Sequence, residues 1–186
     1  MKLKKKTALN ILLIAFIASF FITPLGYYGK VLLYGLFSKP PKVIVEENRQ
    51  QIKDYNWKLK DAQWDYFNFD KSEGNVIFIN RWASWKIPSS AELRSIQKLY
   101  DAYKGKIDFY IITDEVREPV EEFMDKNNFT FPVTYLIIEE KTAVSFPEVP
   151  SSYLVAKDGS IVIAQEGIAK WNGEEVHATI DSLLAK

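Results

Sequence analysis

The chain holds 186 residues, 47% of them hydrophobic and 15% aromatic, which is enough to bury a full core and suggests one domain plus an appendage. Its formal charge is zero, yet seven of the 24 basic residues fall before Val43 with no acid among them, so 17 basic residues face all 24 acidic ones from there on. An acidic main body excludes a nucleic-acid partner, which needs a basic face, and the absence of cysteine excludes thiol-disulfide exchange, which proceeds by thiolate attack on sulfur.

Lys2, Lys4, Lys5 and Lys6 precede an uncharged run from Thr7 to Gly29, and its 23 residues exceed the roughly 20 a helix needs to cross hydrocarbon. The run predicts a retained membrane anchor whose basic end stays in the cytoplasm and whose C-terminal domain lies outside. A cleaved signal peptide competes with this reading, because Pro24 shortens the best apolar block to Ala8–Ile22, but no small-x-small cleavage site follows that block. Tyr27, Tyr28 and Tyr34 are the expected interface residues. Val31–Phe37 is expected either to lie along the membrane surface or to continue the anchor helix past Lys30. Residues 1–37 are therefore assigned to a basic tip and anchor. Residues 38–53 are assigned to a polar linker opened by Pro40-Pro41, which no helix continues through, and residues 54–186 to the main domain.

Trp57–Leu59 and Tyr66–Phe69 alternate as a short hairpin would, and Lys71–Asn75 turns the chain into a β-rich run, Val76–Asn80. After the loop Arg81–Ile87, Pro88 and a Ser-x-x-Glu box from Ser89 to Glu92 predict a capped helix with Leu93, Ile96, Leu99, Tyr100 and Tyr103 on its buried face. Gly105 ends it. Ile107–Thr113 is a second strand, so strand, helix and strand follow within forty residues, which implies a crossover and parallel pairing. A second helix is expected to start with Pro119 in its first position and to end near Asn127-Asn128. Val133–Ile138 has strand composition, but the stretch from Phe131 to Pro147 stays open. Lys157-Asp158-Gly159-Ser160 reads as a hairpin turn returning through Ile161–Gln165. The last helix is expected to be capped by Asn172 with Glu175 and to bury Val176, Ile180, Leu183 and Leu184.

Asn80-Arg81-Trp82-Ala83-Ser84-Trp85-Lys86-Ile87-Pro88, then Val149-Pro150-Ser151-Ser152-Tyr153-Leu154, then Lys157-Asp158-Gly159 before a strand, occur in an order that resembles the thioredoxin-like proteins of the TlpA type. The resemblance runs from about Asp54 to Leu184. It implies a thioredoxin-like α/β fold, a mixed sheet flanked by helices, behind an N-terminal transmembrane helix, and a cis proline at Pro150. That family carries Trp-Cys-x-Pro-Cys, so Lys86 stands where its attacking cysteine would be and Ser89 where the resolving one would be. It also implies a groove formed by Trp85, Ile87, Pro88, Val149 and Pro150 that holds an extended peptide, partly through the main chain of the residue before the proline. Arg81 departs from the family, in which an aromatic residue usually follows the Asn; a charge at a strand end needs a partner or an exit to water.

The implied protein is membrane-anchored, extracytoplasmic (periplasmic where there are two membranes) and redox-inactive. It would be a module binding an exported or membrane protein, with no cofactor and no metal. Two alternatives stand beside it, a structural part of the cell envelope and an enzyme acting through Lys86. The positive end of a helix disfavours an ammonium, which would favour a free amine able to form a Schiff base at Lys86. Ser89 lacks an evident base, because the only histidine, His177, is expected on the surface of the last helix and cannot build a metal site alone. Glu121-Glu122 and Glu139-Glu140 are adjacent pairs whose side chains diverge, hence solvated charge.

Overall fold

The computed structural model describes residues 4–186, so Lys2 of the basic tip lies outside the described residues. The uncharged run does not form one rod. It forms α1 (Lys5–Ile22) and α2 (Pro24–Phe37), bent by 74°. Thr23 between them is extended, and its hydroxyl and amide both donate to Ser19 O, closing α1. Pro24, with no amide hydrogen to offer, opens α2 at the position where none is needed. The bend is tight enough that a Cβ on Gly26 would stand 1.6 Å from Phe20 O. Among the described residues no single helix is long and apolar enough to cross a membrane. The bent pair reaches that length and composition only together.

The domain is built on a seven-stranded mixed sheet in the order β2-β1-β5-β4-β3-β6-β7. β1 (Lys58–Lys60) and β2 (Tyr66–Asn68) form the expected hairpin, and β1 joins the sheet antiparallel to β5 (Val133–Leu136). That strand resolves the stretch left open by sequence; from Ile137 to Pro150 the chain is irregular. β3 (Ile77–Arg81) and β4 (Asp108–Thr113) are parallel, joined by α3 (Ile87–Tyr103), and β6 (Ser151–Val155) runs antiparallel to both β3 and β7 (Ile161–Glu166).

Side chains alternate across the strands, so β3 feeds two cores. Phe78 joins Leu93, Ile96 and Leu99 of α3, Val120 of α4 (Arg117–Asn127) and Val176 and Ile180 of α5 (Glu174–Leu184), all buried. Ile77 and Ile79 join Trp57, Phe69, Tyr110 and Val155 on the opposite face, in a cluster roofed by the segments flanking the hairpin and by Val144. Each such Leu, Ile or Val contributes roughly 1.5–3 kcal/mol by leaving water. This is the thioredoxin-like α/β arrangement expected from the sequence.

Three local expectations are corrected. α3 begins at Ile87 with Lys86 as the flanking residue and no side-chain cap, so Ser89 and Glu92 do not form a capping box; both are buried in the core. α4 starts at Arg117, two residues before Pro119, and ends as expected with Asn128 in the left-handed conformation at φ 55°. α5 is entered through Gly173, and Asn172 spends its side-chain oxygen on His177 Nε2 at 2.9 Å instead of on a helix amide.

α2 lies along the outward side of α3, with Gly26 and Val31 buried and the Tyr27 hydroxyl donating to Ser90 Oγ at 2.7 Å. The segment after it is sewn down. Lys39 O accepts from Lys170 N, Ile44 N donates to Val162 O, Ile161 N donates to Gln50 O and Ile52 N donates to Gly159 O, all within 2.9 Å. Residues 39–52 thus run beside β7 and cover that edge of the sheet.

Candidate functional site

Three strand ends meet where the thioredoxin-like motif lies. Arg81 pairs with Ser151 across β3 and β6, so the loop leaving β3 and the Val149-Pro150 step entering β6 share one end of the sheet. The Val149–Pro150 bond is cis. From β4, Ile112 O accepts the Trp82 amide at 2.9 Å, and just beyond it Glu115 takes both the amide and the hydroxyl of Ser84 at 2.6 Å each. Such short bonds to a carboxylate are charge-assisted, and this fork fixes the loop ahead of α3. Arg81 finds both outlets that its charge requires. Its guanidinium meets Asp114 at 2.9 Å and stacks toward Phe146, while 23% of its side chain stays open to water.

Around this loop the structure gathers the sequence-identified residues unequally. Trp85 is 69% exposed; Ile87, Pro88 and Val149 are half-buried and Pro150 is buried. Lys86 is half-buried, with Nζ 5.4 Å from the centroid of the Trp85 ring. Among the described residues no carboxylate or base is bonded to that amine, so the proton transfers of Schiff-base chemistry have no positioned agent. Ser89 lies beneath the loop and its Oγ accepts the Ala83 amide at 3.3 Å. His177 is not a surface residue but half-buried, with Nδ1 3.1 Å from the Tyr103 hydroxyl and Nε2 on Asn172, so both nitrogens are engaged away from Ser89. No group of acidic or histidine side chains that could hold a metal occurs among the described residues.

The rim carries an unpaired stretch of main chain. Glu148 O accepts Ser151 Oγ–H and Pro150 O accepts Gly167 N–H, but neither the amide nor the carbonyl of Val149, between them, has a hydrogen-bond partner among the described residues. Half-buried main-chain groups of this kind bind water or an incoming strand.

Beneath the rim sits a residue that sequence reasoning assigned elsewhere. Glu92 is fully enclosed, and its carboxylate accepts from Trp171 Nε1 at 2.8 Å, Ala169 N at 3.1 Å and Asn80 Nδ2 at 3.1 Å. Burial pushes its pKa up from 4.5 to about 7, the bonds from Trp171, Ala169 and Asn80 opposing part of that rise. Asn80 also donates to Ser152 Oγ at 2.9 Å, so this acid ties β3, β6, α3 and the segment before α5 together. The signal was present in the sequence: Glu92 falls on the same helical stripe as Ile96, Leu99 and Tyr103.

No protein-family model matches the chain. Thiol-disulfide oxidoreductase ResA of Bacillus cereus is 25% identical over 167 residues, covering 87% of this chain and 88% of that protein. Thioredoxin-like protein YneN of Bacillus subtilis is 26% identical over 143 residues, 73% of this chain and 79% of its own. Among solved structures, a DsbF homologue from Corynebacterium diphtheriae superposes with a TM-score of 0.59 at 16% identity, over 78% of this chain and 94% of that one. At that identity the likeness speaks for the fold.

Proposed function

We propose that this divergent, cysteine-free relative of the TlpA-like thioredoxin-fold proteins is a redox-inactive binding module. It is held at a membrane by its N-terminal helices, faces away from the cytoplasm, and grips an extended segment of another exported or membrane protein. The observation that carries this reading is the unpaired main chain of Val149 at the same end of the sheet as the loop that bears the exposed ring of Trp85. An extended peptide would add its own amide and carbonyl to that edge and lay side chains against the indole. Lys86 and Ser89 supply no sulfur, so binding ends in release instead of exchange.

The test is photocrosslinking in native membranes from position 85 or 149, with exposed Ile138 as the control position. The expected result is a defined set of adducts from the two rim positions that vanishes when Trp85→Ala is combined with labelling at 149. Adducts indistinguishable from those captured at Ile138 would overturn the reading.

A further inference from the structure

The outer side of α2 is apolar where a water-facing helix should be polar. Its inner stripe, Tyr27 and Val31, is taken up by α3, whereas Leu25, Tyr28, Leu32 and Leu36 recur at three- and four-residue spacing beside it and stand open, Leu36 with 72% of its surface free. Leu32 and Leu36 border a cleft that also takes in Arg94 and Lys98 of α3. Phe37 widens the stripe at 75% exposure. The same chemistry continues into α1, where Leu12, Leu13 and Phe16 are equally bare. An apolar face of this extent on a single chain needs a cover.

Charge identifies the cover. No acidic residue occurs before Glu46, while Lys30 lies in α2 and Lys39 and Lys42 follow it. Apolar side chains flanked by lysines alone suit an anionic lipid surface, in which hydrocarbon takes the former and headgroups the latter. Geometry agrees with this. A limb turned by 74° from α1 lies nearly flat on the bilayer when α1 enters along the normal.

We propose that α2 is an interfacial helix lying in an anionic bilayer surface, with lipid on its outer stripe and α3 on its inner one. This rests on the membrane attachment proposed above and goes beyond it. The bilayer fixes how α3 sits, and with it the height and orientation of the rim formed by Trp85 and Val149. α2 also borders the loop, since Pro24, Tyr27 and Tyr28 line a cleft of about 290 Å³ with Ser84 and Phe123.

The chain has no native cysteine, so single cysteines can be placed and spin-labelled without background. The probe is the full chain in vesicles of phosphatidylglycerol and phosphatidylcholine, with collision by oxygen and by a water-soluble nickel chelate measured at positions 12, 32, 36 and 140. The expected result is oxygen access with nickel protection at 12, 32 and 36 and the reverse at 140. Protection at 36 should fall at least several-fold when phosphatidylglycerol is omitted.

Lipid access at 12 with nickel access at 32 and 36 would overturn the interfacial helix and leave the attachment standing. Nickel access at all four positions would overturn both. Protection at 36 that ignores lipid charge would overturn the anionic surface. A second label pair at Leu33 and Lys98 reads the seat itself: its distance distribution should be narrow and should broaden with Val31→Asp. A distribution already broad in the parent chain would refute the seating of α3.

Discussion

Glu92 shows what one residue in this fold does. Its carboxyl has a pKa of about 7 in the folded chain against 4.5 in the open one, so the folded state binds the extra proton between those values. A raised pKa contributes stability that is complete below about 4.5 and is lost as pH climbs through 7. Stability should therefore fall over that window by an amount on the order of 3 kcal/mol, then level off. Denaturant titrations from pH 5 to 8 should show this slope, and Glu92→Gln should flatten it. The glutamine keeps an acceptor for Trp171 and Ala169, and its amide nitrogen, which replaces the oxygen that Asn80 Nδ2 donates to, is satisfied when the Asn80 amide turns over to present its otherwise unpartnered oxygen. A parent protein equally stable at pH 5 and pH 8 would refute the buried, neutralising acid. The position of Glu92 on the buried stripe was legible from helical spacing, but its partners were not. Ala169 and Trp171 lie 77 and 79 residues away and belong to no repeating pattern.

At the scale of elements, periodicity and turn chemistry carried most of the architecture. The crossover from β3 to β4, the Asp158-Gly159 turn and the apolar faces of α3 and α5 all follow from local spacing. The break in the N-terminal run was half legible. Pro24 announced it, but its angle is fixed by the fit of Gly26 and Gly29 against Phe20, a contact between two helices that no local propensity encodes. Gly26→Ala should therefore open the bend, because the added methyl meets backbone, whereas Gly35→Ala meets nothing within 4 Å and should be neutral or stabilising by up to about 1 kcal/mol. Distances between spin labels at Ile14 and Lys98 should change in the first variant and stay constant in the second. Identical distances in both would show that the bend does not depend on Gly26.

At the scale of the whole molecule, a fold similar to that of proteins named for disulfide chemistry occurs here in a chain without cysteine. The loop is clamped by Glu115 and shares one end of the sheet with the Val149–Pro150 step, while the chain holds no cysteine. Turnover of a test disulfide by the native chain should match buffer. The double variant Lys86→Cys with Ser89→Cys should form an intramolecular disulfide and reduce the same substrate measurably. A double variant that folds but forms no disulfide would mean that the loop has drifted from the geometry of its relatives.

Residues 39–52 bear on how such a protein meets its ligand. As a free coil, a segment of that length would act as a leash of about 20 Å, letting the domain wander and sample targets well clear of the lipid. Stitched by four main-chain bonds to β7 and the residues flanking it, and preceded by a docked helix, it gives no slack. With the membrane attachment proposed above, the search for a ligand is then confined to two dimensions. Under that proposal, whatever is gripped must drift in the same sheet of lipid or dip its free segment down to a jaw that cannot rise to meet it.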